Sequence, residues 1–219
     1  MIELVIFDLD GTLLNTIADL AASTNYALKQ LGYPTHPEDK YLYMVGNGIN
    51  KLFERALPEE NNNEEEILKM RELFVTHYEE HIHDYSKPYE GITQLLETLQ
   101  KRNIPLAVAS NKYQAGVEKL VNHFFPSITF VASLGQRTGI PVKPNPQIVY
   151  DILEKTAVDH ANVLYVGDTN VDMQTANNAK LIACGVSWGM RPVEELQAFN
   201  PKYIVDKPSE IIDIIDKLN

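Results

Sequence analysis

Short apolar runs recur along the chain: Glu3–Phe7 (ELVIF), Ile104–Ala109 (IPLAVA), Ile128–Val131 (ITFV), Val163–Val166 (VLYV), Leu181–Val186 (LIACGV) and Tyr203–Val205 (YIV). Each is too short for a helix and rich in β-branched or aromatic residues, so each predicts a buried strand. Between them, apolar residues return at spacings of three and four, the signature of helices with one buried face. These helices are expected over Ile92–Arg102, Gln114–His123, Pro146–Lys155, Val171–Ala179, Val193–Phe199 and Glu210–Leu218. Strands alternating with helices predict βαβ units, hence an α/β fold with a doubly wound parallel sheet, a Rossmann-like core. Strands that are apolar on both faces agree, because such a sheet is covered on both sides.

The alternation fails between Asn15 and about Asp84. A helical pattern runs from Ile17 to Leu31 behind an Asn15 or Thr16 cap and stops at Gly32. Thr35 and Glu38 have the spacing of a capping box for a second helix. A third helix follows Gly48 and ends before Pro58, and the polar run EENNNEEE leads into a fourth, from Glu65 to about His81. The expected organisation is a core from residues 1–14 and 85–219, with residues 15–84 as a helical insert.

Composition narrows the function. The chain has 219 residues and a formal net charge of −11. That charge argues against a nucleic-acid or anionic-membrane partner, which would need clustered Lys and Arg. An anionic small ligand would need a bound cation or a local basic spot. Cys184 is the only cysteine, so no disulfide forms within the chain, and no signal peptide or membrane span is read. The expected compartment is the cytoplasm.

The candidate chemistry lies at strand ends, where open parallel sheets bind their ligands. Asp8 and Asp10 follow the first strand in FDLDGT, and Asp168 follows another in VLYVGDTNVDM, with Asp172 four residues on. A lone D-x-D reads as a turn or a cap. A second acidic pair at the same sheet edge changes that, since the carboxylates would repel unless a hard cation such as Mg²⁺ sat among them. Ser110, Asn111 and Lys112 follow LAVA, where Ser and Asn can donate to an anion beside a helix N-terminus. Lys143 stands in PVKPNP, a stiff setting for a point charge on phosphate.

This ordered set resembles the haloacid dehalogenase-like superfamily: Asp8-Leu9-Asp10-Gly11-Thr12, then Ser110-Asn111, Lys143, and Gly167-Asp168 with Asp172. The resemblance spans the whole chain and includes a helical cap inserted after the first motif. It implies a Mg²⁺-dependent phosphatase in which Asp8 attacks phosphorus to form an aspartyl-phosphate. Asp10 would then act as general acid and base. It places the ion on Asp8, the Asp10 backbone carbonyl and Asp168, with Asp172 direct or through water. Ser110 and Lys143 would clamp phosphoryl oxygens, Thr12 would order the loop, and Asn111 would orient substrate.

Specificity is expected from the cap. Gly46 and Gly48 flank Asn47 at a helix start whose free N–H groups suit a small anion, and Arg55 follows two turns on. This loop is similar to the substrate loop of phosphoglycolate phosphatases, which makes 2-phosphoglycolate the first expectation and Gly48 and Arg55 candidate substrate contacts. Alternatives that keep every core residue are an inorganic pyrophosphatase, a broad sugar-phosphate phosphatase and a hexose-phosphate mutase. A phosphonate hydrolase would need a cap lysine such as Lys51, and a phosphate-binding regulator would have no need of both Asp8 and Asp10. Oligomeric state is left open.

Overall fold

The computed structural model describes all residues, Met1–Asn219. Six strands form one sheet: β1 (Leu4–Phe7), β4 (Leu106–Tyr113), β5 (Phe130–Gln136), β6 (Val163–Gly167), β7 (Ile182–Val186) and β8 (Tyr203–Val205). Their order is β5-β4-β1-β6-β7-β8 and every pair is parallel. The chain leaves β1 for β4 on one side and later returns to β6 on the other, so β1 lies at the topological switch point.

The two-residue period of the strands divides the core. Val5, Phe7, Val108, Leu164 and Val166 face one layer, built on α5 (Ile92–Lys101), α6 (Gln114–Phe124) and α10 (Ser209–Leu218). Leu4, Ile6, Ala107, Val163 and Tyr165 face the other, with α7 (Gln147–Thr156), α8 (Asn170–Asn178) and α9 (Val193–Gln197). Each large apolar side chain fully buried in these layers contributes about 1.5–3 kcal/mol of transfer free energy.

Four helices form the insert: α1 (Ile17–Gln30), α2 (Glu38–Met44), α3 (Ile49–Ala56) and α4 (Glu64–His81). Tyr41, Phe53, Phe74 and Tyr78 fill its centre, with the Phe53 and Phe74 rings 5.2 Å apart edge to face. These side chains belong to the same apolar layer as α5, α6 and α10, so cap and core share one dry interior. The two connections between them pair as short antiparallel strands, β2 (Leu14–Asn15) and β3 (Lys87–Pro88). Buried Asp19 fastens this junction by accepting from Tyr85 N at 3.0 Å, Ser86 N at 2.8 Å and Ser86 Oγ at 2.6 Å.

Several local expectations are corrected. The Thr35/Glu38 capping box does not form: Pro37 holds the cap position of α2 and makes no side-chain cap bond. Glu38 is therefore the first helical residue, too early to reach back. Thr16 occupies the cap position of α1, but its hydroxyl donates to Asp10 instead, and Asn15 Oδ1 lies a long 3.4 Å from Ile17 N. Helix α4 begins at Glu64, capped by Asn63, whose side chain accepts from Glu66 N. Strand β4 runs on through Ser110, Asn111 and Lys112, and β5 starts at Phe130 and continues through the polar Gln136. An edge strand half-covered by neighbours does not need a continuous apolar run, so ITFV marked only its beginning.

Candidate active site

The end of β1 is locked to β6. Phe7 pairs with Val166, and Asp8 N donates to Val166 O at 2.9 Å. This register brings the residues that follow each strand side by side. One carboxylate oxygen from each of Asp8, Asp168 and Asp172 lies within 4.8 Å of the others, and all three residues are buried.

Each acid is held differently. Asp8 Oδ1 accepts from Lys143 Nζ at 2.8 Å, and its second oxygen takes no hydrogen bond from the protein. Asp168 accepts from Thr12 Oγ1 at 2.9 Å and from Met190 N at 2.8 Å. Gly11, at φ +95°, and Gly189 leave the space Asp168 occupies, because a Cβ on either would collide with its carboxylate. Asp172 sits in the first turn of α8 and completes a capping box with Thr169, whose N and Oγ1 donate to Oδ2 at 3.1 and 2.6 Å. Its Oδ1 accepts from Lys143 Nζ at 2.7 Å.

Lys143 Nζ therefore has Asp8, Asp172 and the Ala109 carbonyl, the last also at 2.8 Å, as acceptors for its three protons. Three carboxylates and one ammonium leave two formal negative charges in a buried cluster. The acids respond accordingly. Burial, then the Asp172 charge, raises the Asp8 carboxyl well above the usual range, although Lys143 pulls the other way. Burial and Asp172 also push Asp168 up to about 7, against the bonds from Met190 and Thr12. For Lys143, burial alone would lower the value, but Asp172 and Asp8 carry it well above the usual one. An all-oxygen donor set carrying excess charge of two fits a hard divalent cation. Asp172, whose two oxygens take four hydrogen bonds between them, is placed to orient Lys143 and the helix start, whereas Asp168 takes one bond on each oxygen and Asp8 leaves one oxygen unbonded.

The side chain of Asp10 stands outside that cluster. Its Oδ1 accepts from Thr16 Oγ1 at 2.6 Å and pairs with Lys112 Nζ at 3.0 Å. Asp8 and Asp10 open onto a cavity of about 50 Å³ between core and cap. Ser110 also lines it, its Oγ accepting from Lys112 N at 3.1 Å. On the cap side the wall is Leu20, Val45, Ile49, Leu52 and Phe74, with the Gly46–Gly48 loop and Tyr78.

Not every residue singled out in the sequence reaches this cavity. Thr12 lies beneath it, bonded to Asp168 by its hydroxyl and to Trp188 Nε1 by its carbonyl. The Asn111 side chain links cap to core, donating to Gly46 O at 3.0 Å and Lys143 O at 3.1 Å and accepting from Lys143 N at 2.8 Å. Gly48 lines the cavity as the cap position of α3. Arg55 is not part of the wall. Its guanidinium donates to Tyr43 O at 3.3 Å, Met44 O at 2.9 Å and Asn47 Oδ1 at 2.8 Å, holding the loop from behind. Lys51 is exposed and paired with Glu54, also outside the cavity. His77 lies 3.0 Å from Ser23 Oγ, and His81 pairs with Asp84.

Two residues at the site were missed in the sequence. Lys112 stands two residues beyond Ser110 in an extended strand, so the two share a side, and a lysine inside a buried strand must find a partner. That signal was available. Arg191 gave none: from a loop after β7 it donates to the cap carbonyls of Leu42 and Val45, the latter at 2.9 Å.

A family model of haloacid dehalogenase-like hydrolases matches residues 5–186. A phosphoglycolate phosphatase from Vibrio parahaemolyticus is 33% identical over 219 residues, covering 98% of this chain and 96% of its own. One from Mannheimia succiniciproducens is 31% identical, with 97% and 98% covered. Among solved structures, a "predicted phosphoglycolate phosphatase" from Haemophilus somnus superposes with a TM-score of 0.90 at 29% identity, covering 98% of each chain.

Proposed function

The chain belongs to the haloacid dehalogenase-like hydrolase family, and from that premise we propose that it is a Mg²⁺-dependent phosphatase whose substrate is 2-phosphoglycolate. As a phosphoric monoester hydrolase, it acts on small phosphorylated molecules. The observation that carries the reading is the meeting of Asp8, Asp168, Asp172 and Lys143 at one sheet edge, beside a cavity that also receives Asp10.

A phosphate ester repels nucleophiles through its own charge, so catalysis rests on positioning and charge neutralisation. A divalent ion held by Asp8, Asp168 and the Asp10 carbonyl would neutralise the transferring phosphoryl group. The unbonded oxygen of Asp8 attacks phosphorus, forming an aspartyl-phosphate as the ester P–O bond breaks. Asp10 gives its proton to the departing alkoxide. It then takes a proton from water as that water attacks phosphorus, which restores the Asp8 carboxylate and releases inorganic phosphate. Thr16 and Lys112 fix the Asp10 carboxylate between these steps. Ser110 would donate to a phosphoryl oxygen, and the Lys143 ammonium, its protons held by Asp8, Asp172 and the Ala109 carbonyl, would act there as a fixed positive charge. Asn111 supports the reaction by joining the Gly46 loop to the Lys143 backbone.

The narrowness of the cavity, about 50 Å³, supports a short substrate over a bulky one. The full-length relatives named phosphoglycolate phosphatase support the two-carbon choice. A single buried cysteine and the absence of any disulfide fit a reducing compartment, so the cytoplasm is the proposed location. No helix is long and apolar enough to cross a membrane.

The test is phosphate release from 2-phosphoglycolate, pyrophosphate, glucose 6-phosphate and an aryl phosphate, with and without Mg²⁺. Turnover should require the ion, and kcat/KM for 2-phosphoglycolate should exceed the others by about tenfold or more, the discrimination a few polar contacts supply. Comparable rates on all four would overturn the glycolate assignment and leave the phosphatase standing.

A further inference from the structure

We propose that Lys112, completed by Tyr78 of the cap, is the receptor for a carboxylate on the non-transferred end of the substrate. It would thereby set the substrate class: short phosphate esters that carry an acid. The proposal rests on the phosphatase reading and names what selects the substrate at that site.

The first support is placement. The Lys112 side chain is only 4% exposed and lines the cavity. No other Lys, Arg or His is in the wall. Lys143 has three acceptors within 2.8 Å for its three protons, and Arg55 and Arg191 spend theirs on cap carbonyls and other groups behind the wall. An anionic group beyond the phosphoryl thus meets one ammonium, that of Lys112.

The second support is unused donor capacity. A lysine ammonium has three protons. One is donated to the Tyr78 hydroxyl at 2.9 Å, and the ammonium also forms an ion pair with Asp10 Oδ1 at 3.0 Å, which leaves donor capacity for a ligand. The Tyr78 hydroxyl accepts from Lys112 and makes no other hydrogen bond, so its own proton is also available. Lys112 comes from β4 and Tyr78 from α4, so the pair exists only when cap and core are together.

The third support is reach and surroundings. Asp10 serves the leaving oxygen, and its carboxylate touches the Lys112 ammonium. A carboxylate one carbon beyond that oxygen therefore falls beside Lys112, while a longer ester would overshoot it. Opposite stand Leu20, Ile49, Leu52 and Phe74, which give a charge no compensation. An unpaired carboxylate against such a wall is costly, and a paired one is discriminated strongly from a neutral analogue.

The experiment compares 2-phosphoglycolate with ethyl phosphate, which lacks the carboxylate, on the wild-type enzyme, Lys112→Met and Tyr78→Phe. Lys112→Met should lower kcat/KM for 2-phosphoglycolate by about 100-fold, the scale of a lost charged hydrogen bond. Ethyl phosphate should also lose rate, because Lys112 helps to hold Asp10, but the loss on 2-phosphoglycolate should exceed it by about tenfold or more. Tyr78→Phe should shift the ratio of the two substrates in the same direction by a smaller factor. Equal losses on both esters would overturn the proposal and make Lys112 a support for Asp10 alone. A second measurement needs no variant: glycolate should inhibit the wild-type enzyme competitively and ethylene glycol should not, and equal inhibition by the two would also overturn it. If the wild type released phosphate from neither ester nor from the aryl phosphate, pyrophosphate and glucose 6-phosphate, the phosphatase reading itself would fall, an outcome distinct from activity without preference.

Discussion

The core wall of the cavity is mostly charged or polar, Asp8, Asp10, Ser110, Asn111 and Lys112 with Tyr113, at or just beyond the ends of β1 and β4, with Asp168 and Lys143 packed behind. The facing cap wall is mostly apolar, with Leu20, Ile49, Leu52 and Phe74 on three helices, Val45 and the Gly46–Gly48 loop beside them, and Tyr78 as its one polar side chain. The first wall is built from charge that the sheet register forces together at a cost. The second is built from apolar burial that would stabilise the insert whatever the ligand. On the proposed reading the chemistry belongs to the core, and the cap would contribute exclusion of water and a boundary on size. Lys112 and Tyr78 bring a charged core group and a polar cap group together at the cavity wall.

The sharpest way to break this contrast is Asp8→Asn. Turnover should fall by about 10⁴-fold or more, the scale seen when a nucleophile acting as part of a unit is removed. The same change should leave the metal-free protein as stable or more so, because the neutral amide removes a buried charge that Asp172 repels. Phosphate release and thermal melting on the same sample decide it. Retained turnover would remove Asp8 from the chemistry, and a large loss of Tm would mean that the charge cluster stabilises the fold.

A middle-sized effect is expected at Arg55→Ala, and it sharpens the division within the cap. The lost bonds to Tyr43 O, Met44 O and Asn47 would loosen the loop that closes the cavity. KM should rise by about tenfold, consistent with the modest net worth of such hydrogen bonds, and by the same factor for 2-phosphoglycolate and for ethyl phosphate. A loss confined to the acidic substrate would place Arg55 at the ligand after all, and would weaken the case for Lys112.

The same contrast explains what the sequence disclosed. Runs such as VLYV and LIACGV are covered on both faces, so their composition alone marks them as strands, and the acids just beyond β1 and β6 follow from chain order. The pairing of Leu14–Asn15 with Lys87–Pro88 left no trace, because two residues carry no periodicity. Thr35 and Glu38 had capping spacing, but Pro37 took the position first. Arg55 and Lys112 are both legible as cations, but only Lys112 lines the cavity. Which of them lines it depends on how α4 and the Gly46–Gly48 loop pack across β4, a contact between segments far apart in the chain.

The smallest expected effect concerns the charge cluster itself. In the folded, metal-free chain, burial and Asp172 hold the Asp168 carboxyl up to about 7, whereas an unfolded aspartate titrates near 3.9. Folding therefore retains a proton through the range between those values. The stability this group contributes is fully present below about pH 4 and is lost as pH rises through 7. A divalent ion bound at Asp8 and Asp168 reverses the trend, since it must displace that proton and then offsets the repulsion. Saturating Mg²⁺ should accordingly raise Tm by a few degrees more at pH 8 than at pH 5.5, and its apparent affinity should weaken up to about tenfold per pH unit below 7 for each proton displaced. Melting curves across that range, with and without the ion, measure both. The same Tm gain at both pH values would mean that the ion binds elsewhere, and the two acids would then have no common ligand.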